Sequence, residues 1–219
     1  EPSGSANAAR CAVANPANVM AHIIAQLKDK SGHVKIPGFY DDVRQLRDEE
    51  RAEFKRLPFD EVGYKKHLGA PRLAGEKDYS ILERVWARPS LDVNGILAGW
   101  TGEGSKTVIP ATATAKVSLR LVPGLTRDGV QAALEKTVQA LAPTWAKAEV
   151  RPLHGADPVE VDVDAPAFAV LDRAFEEVVG RRTVSVRAGG SIPIVPKLGM
   201  TGAPVLLTGI GLPDDGLHS

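Results

Sequence analysis

From Ala111 to Leu121 the odd positions read Ala, Ala, Ala, Val, Leu, Leu and the even positions Thr, Thr, Lys, Ser, Arg. A period of two with one apolar and one polar set specifies a half-buried strand of an antiparallel sheet, since a fully covered strand would be apolar on both faces. Thr112, Thr114, Lys116, Ser118 and Arg120 therefore share the wet face. Pro110 cannot donate to a ladder and predicts a bulge or edge position where the strand begins. Ser90–Trp100 reads as its partner, with TGEGS (101–105) as the turn and the second strand starting near Lys106.

Helices surround this pair. Pro16 opens one that runs to about Lys30 with Val19, Ile23, Ile24 and Leu27 at helical spacing, and Ser31-Gly32 is its expected stop. The charged stretch from Asp48 suits an exposed helix ending before Pro58, and short helices are expected around Glu61–His67 and Tyr79–Ala87. Thr126 caps a further helix whose stripe is Val130, Leu134, Val138 and Leu141. Ala148–Leu153 reads as a strand, residues 165–180 as an amphipathic helix, and Pro204–Gly209 as a buried strand. Helix, excursion, strand, strand, helix, strand is an α+β order of ferredoxin-like type with its first, central strand missing. Residues 1–15 are small and polar and form an irregular lead-in. Near residue 155 the rhythm changes to that of an α/β domain.

Charge and composition exclude several classes. With 27 basic and 27 acidic side chains the net charge is zero, and no Lys/Arg run supplies the footprint of a nucleic-acid binder. The apolar run Ala203–Leu207 falls far short of the roughly 20 residues that span a bilayer. Cys11 stands alone, so an internal disulfide is impossible. These features predict a cytoplasmic protein without nucleic-acid or membrane partners.

Of the histidines, His22, His33 and His67 sit in polar, helix- or loop-like sequence and read as surface or structural groups. His154 and His218 each follow an expected strand, where α/β domains gather ligands and catalytic groups. Asp214-Asp215 before Gly216 fits a tight turn better than a metal pair. RAGGSIP (187–193) suits two roles equally: a loop offering N–H groups and the Ser191 hydroxyl to an anion, or an ordinary connection. Ser191 lacks the setting of a nucleophile, because the GxSxG elbow is absent. Arg120, on the wet face of a regular strand, can present a bidentate fork to a carboxylate or simply face water.

Six segments in order resemble the carnosinase-like metallodipeptidases of the dinuclear zinc exopeptidase superfamily. They are ANPANVMAHIIAQLKDKSGHVKIPGFYDDV (14–43), RPSLDVNGI (88–96), KTVIPATATAKVSLRLVP (106–123), LHGADP (153–158), RAGGSIPIVPKL (187–198) and GLPDDGLHS (211–219). The resemblance implies a lid or dimerisation domain over residues 1–155 and, over 156–219, the start of the C-terminal half of a catalytic α/β domain. It implies that Thr107 contacts substrate across a homodimer interface and that Arg120 holds the substrate carboxylate. His154 becomes a substrate-binding residue, and Gly190 and Ser191 hold the substrate's carboxylate end. His218 becomes a ligand to one of two zinc ions. The substrates implied are dipeptides or N-acyl amino acids.

The departures are as specific. The family's Asp-Leu-His-Ser-Gly-like opening of the lid, whose histidine polarises the scissile carbonyl, is replaced by Glu1-Pro2-Ser3-Gly4. The remaining metal ligands and the general-base glutamate have no counterpart. The sequence also starts without Met and stops directly after a strand-and-turn pattern. The expectation is an interior piece of a longer hydrolase, inactive alone, that supplies lid, part of the pocket and one ligand. The alternative is a stand-alone, non-catalytic dimerisation or binding module derived from the same family.

Overall fold

The computed structural model describes residues 13–187 and 194–209. Most of the lead-in, Gly190, Ser191, Asp214, Asp215 and His218 lie outside them. The chain divides into two compact units, Glu1–Pro158 with Val186–Ser191, and Val159–Ser185 with Ile192–Ser219.

In the first unit the chain runs α1 (Pro16–Leu27), α2 (Asp48–Arg56), α3 (Glu61–His67), α4 (Ile81–Ala87), β1 (Ser90–Ala98), β2 (Ala113–Arg120) and α5 (Arg127–Leu141). The strands pair antiparallel from Ser90↔Arg120 to Ala98↔Ala113. Burial along β2 alternates at every residue, with Ala113, Ala115, Val117 and Leu119 inward and Thr114, Lys116, Ser118 and Arg120 outward. The strand is shorter than its sequence pattern, which begins before Ala113. The irregularity expected near Pro110 lies instead in β1, where the register shifts between Val93 and Gly95. Past that bulge Ile96 pairs with the inner-face residue Ala115 and Leu97 with the wet-face residue Thr114, and both side chains are exposed.

Helices α1 and α5 pack with the inner face of this pair. The core joins Leu27, Val34, Ile36, Phe39, Val43, Leu91, Val122, Leu125, Val130 and Leu134, with Val138 and Leu141 packed against it, so the stripe read for α5 is the one buried. Asn15 and Thr126 cap the two helices by accepting from the N–H groups of Ala17 and Gly129. Helix α1 ends at Leu27, before the expected stop, because Lys28 turns extended and bridges Val34. The Asp29 carboxylate then closes the turn by accepting from Ser31 and His33. Gly124 lies at φ +99°, with the carbonyl of Asp42 only 1.7 Å from where a Cβ would sit, so no side chain fits there.

Ala148–Leu153 forms no ladder. Val150 packs on the core and the Ala148 carbonyl accepts from Gln139 Nε2, but Pro152 lacks a donor. Among the described residues the sheet thus has two strands.

In the second unit α6 (Pro166–Val179) begins with proline and ends at Gly180 in the left-handed region. Phe168, Leu171 and Phe175 are half-buried while Val178 is 85% exposed. Thr183 Oγ1 donates to Asp172 after the helix. Ile194–Gly199 is a short helix, α7, that the sequence pattern did not reveal. Pro204–Gly209 has no strand partner, and the described residues there are exposed or half-buried.

Candidate functional site

Arg120 is the last residue of β2, exposed on the wet face as the alternation requires, and opposite Ser90 in the register. His154 lies exposed in the segment after α5. That segment is fixed to the start of α5, where Asp157 Oδ1 accepts from Arg127 N at 2.7 Å and Gly155 lies against the Arg127 side chain. A carboxylate at a helix N-terminus is stabilised by the unpaired N–H groups and the dipole. Only the short turn at Val122–Leu125 separates the end of β2 from α5, so Arg120 and His154 attach to the same end of the unit.

Thr107 attaches to the other end. It lies exposed in the connection between β1 and β2, which leaves the ladder at the Ala98↔Ala113 pair. Seven residue steps of β2 separate that pair from Arg120, roughly 23 Å at the rise of a strand. Lys106 is tied back to Trp100, with Nζ 3.8 Å from the centre of the indole ring, so the connection does not carry Thr107 along the ladder toward Arg120. Within one chain Arg120 and His154 are grouped and Thr107 is apart.

The structure adds a polar network that sequence reading missed. The Arg88 guanidinium donates to Glu76 through Nε (2.5 Å) and Nη2 (3.1 Å), and lies over the rings of Tyr79 and Tyr40 at 4.3 and 4.8 Å. His33 stacks on Tyr40 and its Nδ1 lies 3.0 Å from Glu76 Oε1, which makes it a structural histidine. Burial disfavours the charge on Glu76, but hydrogen bonds from Arg88 and His33 outweigh it and hold the carboxyl below its ordinary range. The Arg88 side chain is 9% exposed, and the same pairing outweighs burial and raises its pKa.

A second pair involves Arg187, which precedes the Gly-Gly-Ser sequence. Arg187 donates through Nε and Nη2 to Glu50 Oε1 at 2.9 and 2.7 Å, while Glu50 Oε2 accepts from Arg47 N. Glu50 is likewise pushed up by burial and, on balance, held down by these donors. Helix α2, which reads as a solvated helix, thus turns Glu50, Arg51 and Phe54 inward. Arg51 pairs with Glu83 of α4 at 2.7 Å, and Phe54 meets Trp86 edge-on at 5.1 Å. Phe54 lies four residues after Glu50 on one helix face, the only local signal of this inward face. A cavity of about 460 Å³ between α2 and α4 is lined by residues including Arg51, Phe54, Tyr79 and Arg84, and by none of Thr107, Arg120 and His154.

Among the described residues no group of three or more His, Cys, Asp or Glu side chains could hold a metal ion. The described residues by themselves therefore do not constitute a metal centre. Among them, no helix is long and apolar enough to cross a membrane.

Residues 3–146 match a family model described as the peptidase dimerisation domain of M20 type. The chain is 28% identical over 201 residues to a rat Beta-Ala-His dipeptidase, covering 90% of this chain and 41% of that protein. It is 30% identical over 213 residues to the Cys-Gly metallodipeptidase DUG1 of Candida albicans, covering 94% and 44%. The crystal structure of an M20 family metallo-carboxypeptidase from Sulfolobus solfataricus superposes with a TM-score of 0.77 at 35% identity, over 89% of this chain and 51% of that one. The chain thus spans about half the length of these relatives.

Proposed function

Because the chain belongs to the peptidase dimerisation domain family of the M20 metallopeptidases, we propose that it provides the lid and part of the substrate pocket of a metal-dependent dipeptidase or related amidohydrolase. Residues 1–155 are the lid in this reading, and 156–219 the beginning of the C-terminal part of the catalytic domain. The substrate is a dipeptide or an N-acyl amino acid. Arg120 offers two parallel N–H donors to its carboxylate, a geometry that lysine cannot reproduce. His154 contributes a ring nitrogen from the same end of the unit, and Gly190 and Ser191 contribute backbone and hydroxyl donors. A divalent metal, when bound, supplies the activated water of such hydrolases. We assign zinc to that role and His218 as one of its ligands.

The observation that carries this reading is the separation of Thr107 from Arg120. Two residues proposed to touch one small substrate are tied to opposite ends of a single ladder. The conflict disappears if Thr107 serves the site of a second copy, as a homodimer through the lid would require.

The test is mixing. In the metal-loaded holoenzyme, Thr107→Ala and Arg120→Lys should each raise KM for a dipeptide by roughly tenfold or more, the scale of one lost substrate contact. Mixed dimers of the two variants carry one site with both Arg120 and a Thr107 from the other copy, and should regain activity above either variant alone. No recovery on mixing overturns the cross-subunit role. Hydrolysis by the isolated 219-residue chain with added zinc overturns the division of labour itself.

A further inference from the structure

The connection that carries Thr107 is built around one side chain. Trp100, 48% exposed, donates through Nε1 to the Glu103 carbonyl at 3.2 Å. Gly102 lies against the same ring, so that a Cβ added there would come within 2.6 Å of indole Cζ2. The ammonium of Lys106 sits 3.8 Å from the ring centre on the connection's return. One indole thus engages three successive points of the loop, at positions 102, 103 and 106, and the last is the residue before Thr107. A cation held at a ring face and an N–H donor satisfied within the same loop restrict an exposed segment that has little apolar burial to fix it.

We propose that Trp100 is a positioning residue for Thr107: the indole, with Gly102 and Lys106, sets the place from which Thr107 is offered to the substrate of the second copy. This rests on the reading of Thr107 given above. Trp100 touches no substrate in this scheme and acts through the loop. A loop without the ring would present Thr107 from many positions, and a misplacement of about 1 Å in a substrate-orienting group can cost as much as 100-fold in rate.

Three measurements decide it. Trp100→Ala should lower the backbone order parameters from Glu103 to Val108, read by NMR relaxation, while leaving those in β2 and α5 unchanged. Order parameters in the loop equal to wild type overturn the proposal. In the metal-loaded holoenzyme, Trp100→Ala should raise KM for a dipeptide roughly tenfold, Trp100→Phe should restore most of the loss, and Lys106→Met should move KM in the same direction by less. The deciding comparison is the cycle with Thr107→Ala. If Trp100 works through Thr107, Trp100→Ala adds almost nothing in the Thr107→Ala background, whereas additive losses overturn the proposal. Should Trp100→Ala unfold the protein by circular dichroism, Lys106→Met in the same cycle answers the question. An unmodified holoenzyme that fails to hydrolyse dipeptides would refute the functional reading, while the order parameters would still judge the clamp.

Discussion

Around α1, β1, β2 and α5 the first unit buries Leu27, Val34, Phe39, Leu91, Val122 and Val130, and the polar groups there are helix caps and turns. Over residues 47–88 the buried apolar side chains are Phe54 and Ala87, and beside them Glu83 and Arg88 are buried as charges. The two regions exclude water by different means. In the first, removal of apolar surface supplies the stability, and any similar shape would serve. In the second, each charge is tolerated because a partner is already in place: Arg88 with Glu76, Arg51 with Glu83, Arg187 with Glu50. Such pairs add little stability over apolar replacements, but losing one member strands the other. The second region is therefore held to one arrangement by pairing, and the first by packing.

Phe39→Ala removes a ring that is 2% exposed within the apolar core and should cost about 3–5 kcal/mol. A lowered urea midpoint with unchanged slope is the expected observation. Arg88→Met should cost about 3 kcal/mol, near the lower end for breaking a buried pair, because Glu76 keeps its contact with His33. Adding Glu76→Gln to it should recover part of that loss by removing the stranded charge, whereas recovery at Phe39 would require refilling the cavity. Recovery absent from this double variant would mean that residues 47–88 are held by packing after all. Thr126→Ala deletes the cap of α5 and should cost about 1 kcal/mol, measured as a small fall in Tm.

The same contrast decides what could be read from the sequence. The face of β2 and the stripe of α5 were legible because burial against a core imposes a period on neighbouring residues. The wet-face position of Arg120 followed from the same alternation. The pairing of Arg88 with Glu76 spans 12 positions, Arg51 with Glu83 32, and Arg187 with Glu50 137, and no local period links them. The charged helix α2 therefore read as a solvated one. Ala148–Leu153 and Pro204–Gly209 carried strand-like patterns, yet a strand needs a neighbour, and none pairs with them among the described residues. The grouping of Arg120 with His154 depends on Asp157 reaching the start of α5, again a contact without a local signature. Thr107 was recognisable by its motif, but its distance from Arg120 needed the register.

Acid titration tests the paired region most finely. Glu76 and Glu50 both ionise more readily in the fold than the ordinary value of 4.5, despite burial. A carboxyl whose folded pKa lies below its unfolded value contributes stability that is fully present above the unfolded value. That contribution is lost as pH falls through the folded one. Stability should therefore hold steady down to about pH 4.5 and decline below it as these two carboxylates, together with Asp29 and Glu149, take up protons. Glu76→Gln removes one of the titrating groups and should flatten this decline while lowering stability at neutral pH, since Arg88 loses its charged partner. Leu134→Ala, in α5, should lower the whole curve and leave its acid slope unchanged, because that side chain belongs to the apolar core and to neither carboxylate pair. Urea midpoints collected between pH 3 and pH 7 for the three proteins provide the comparison. Parallel curves for wild type and Glu76→Gln would show that residues 47–88 owe nothing to the charge on Glu76.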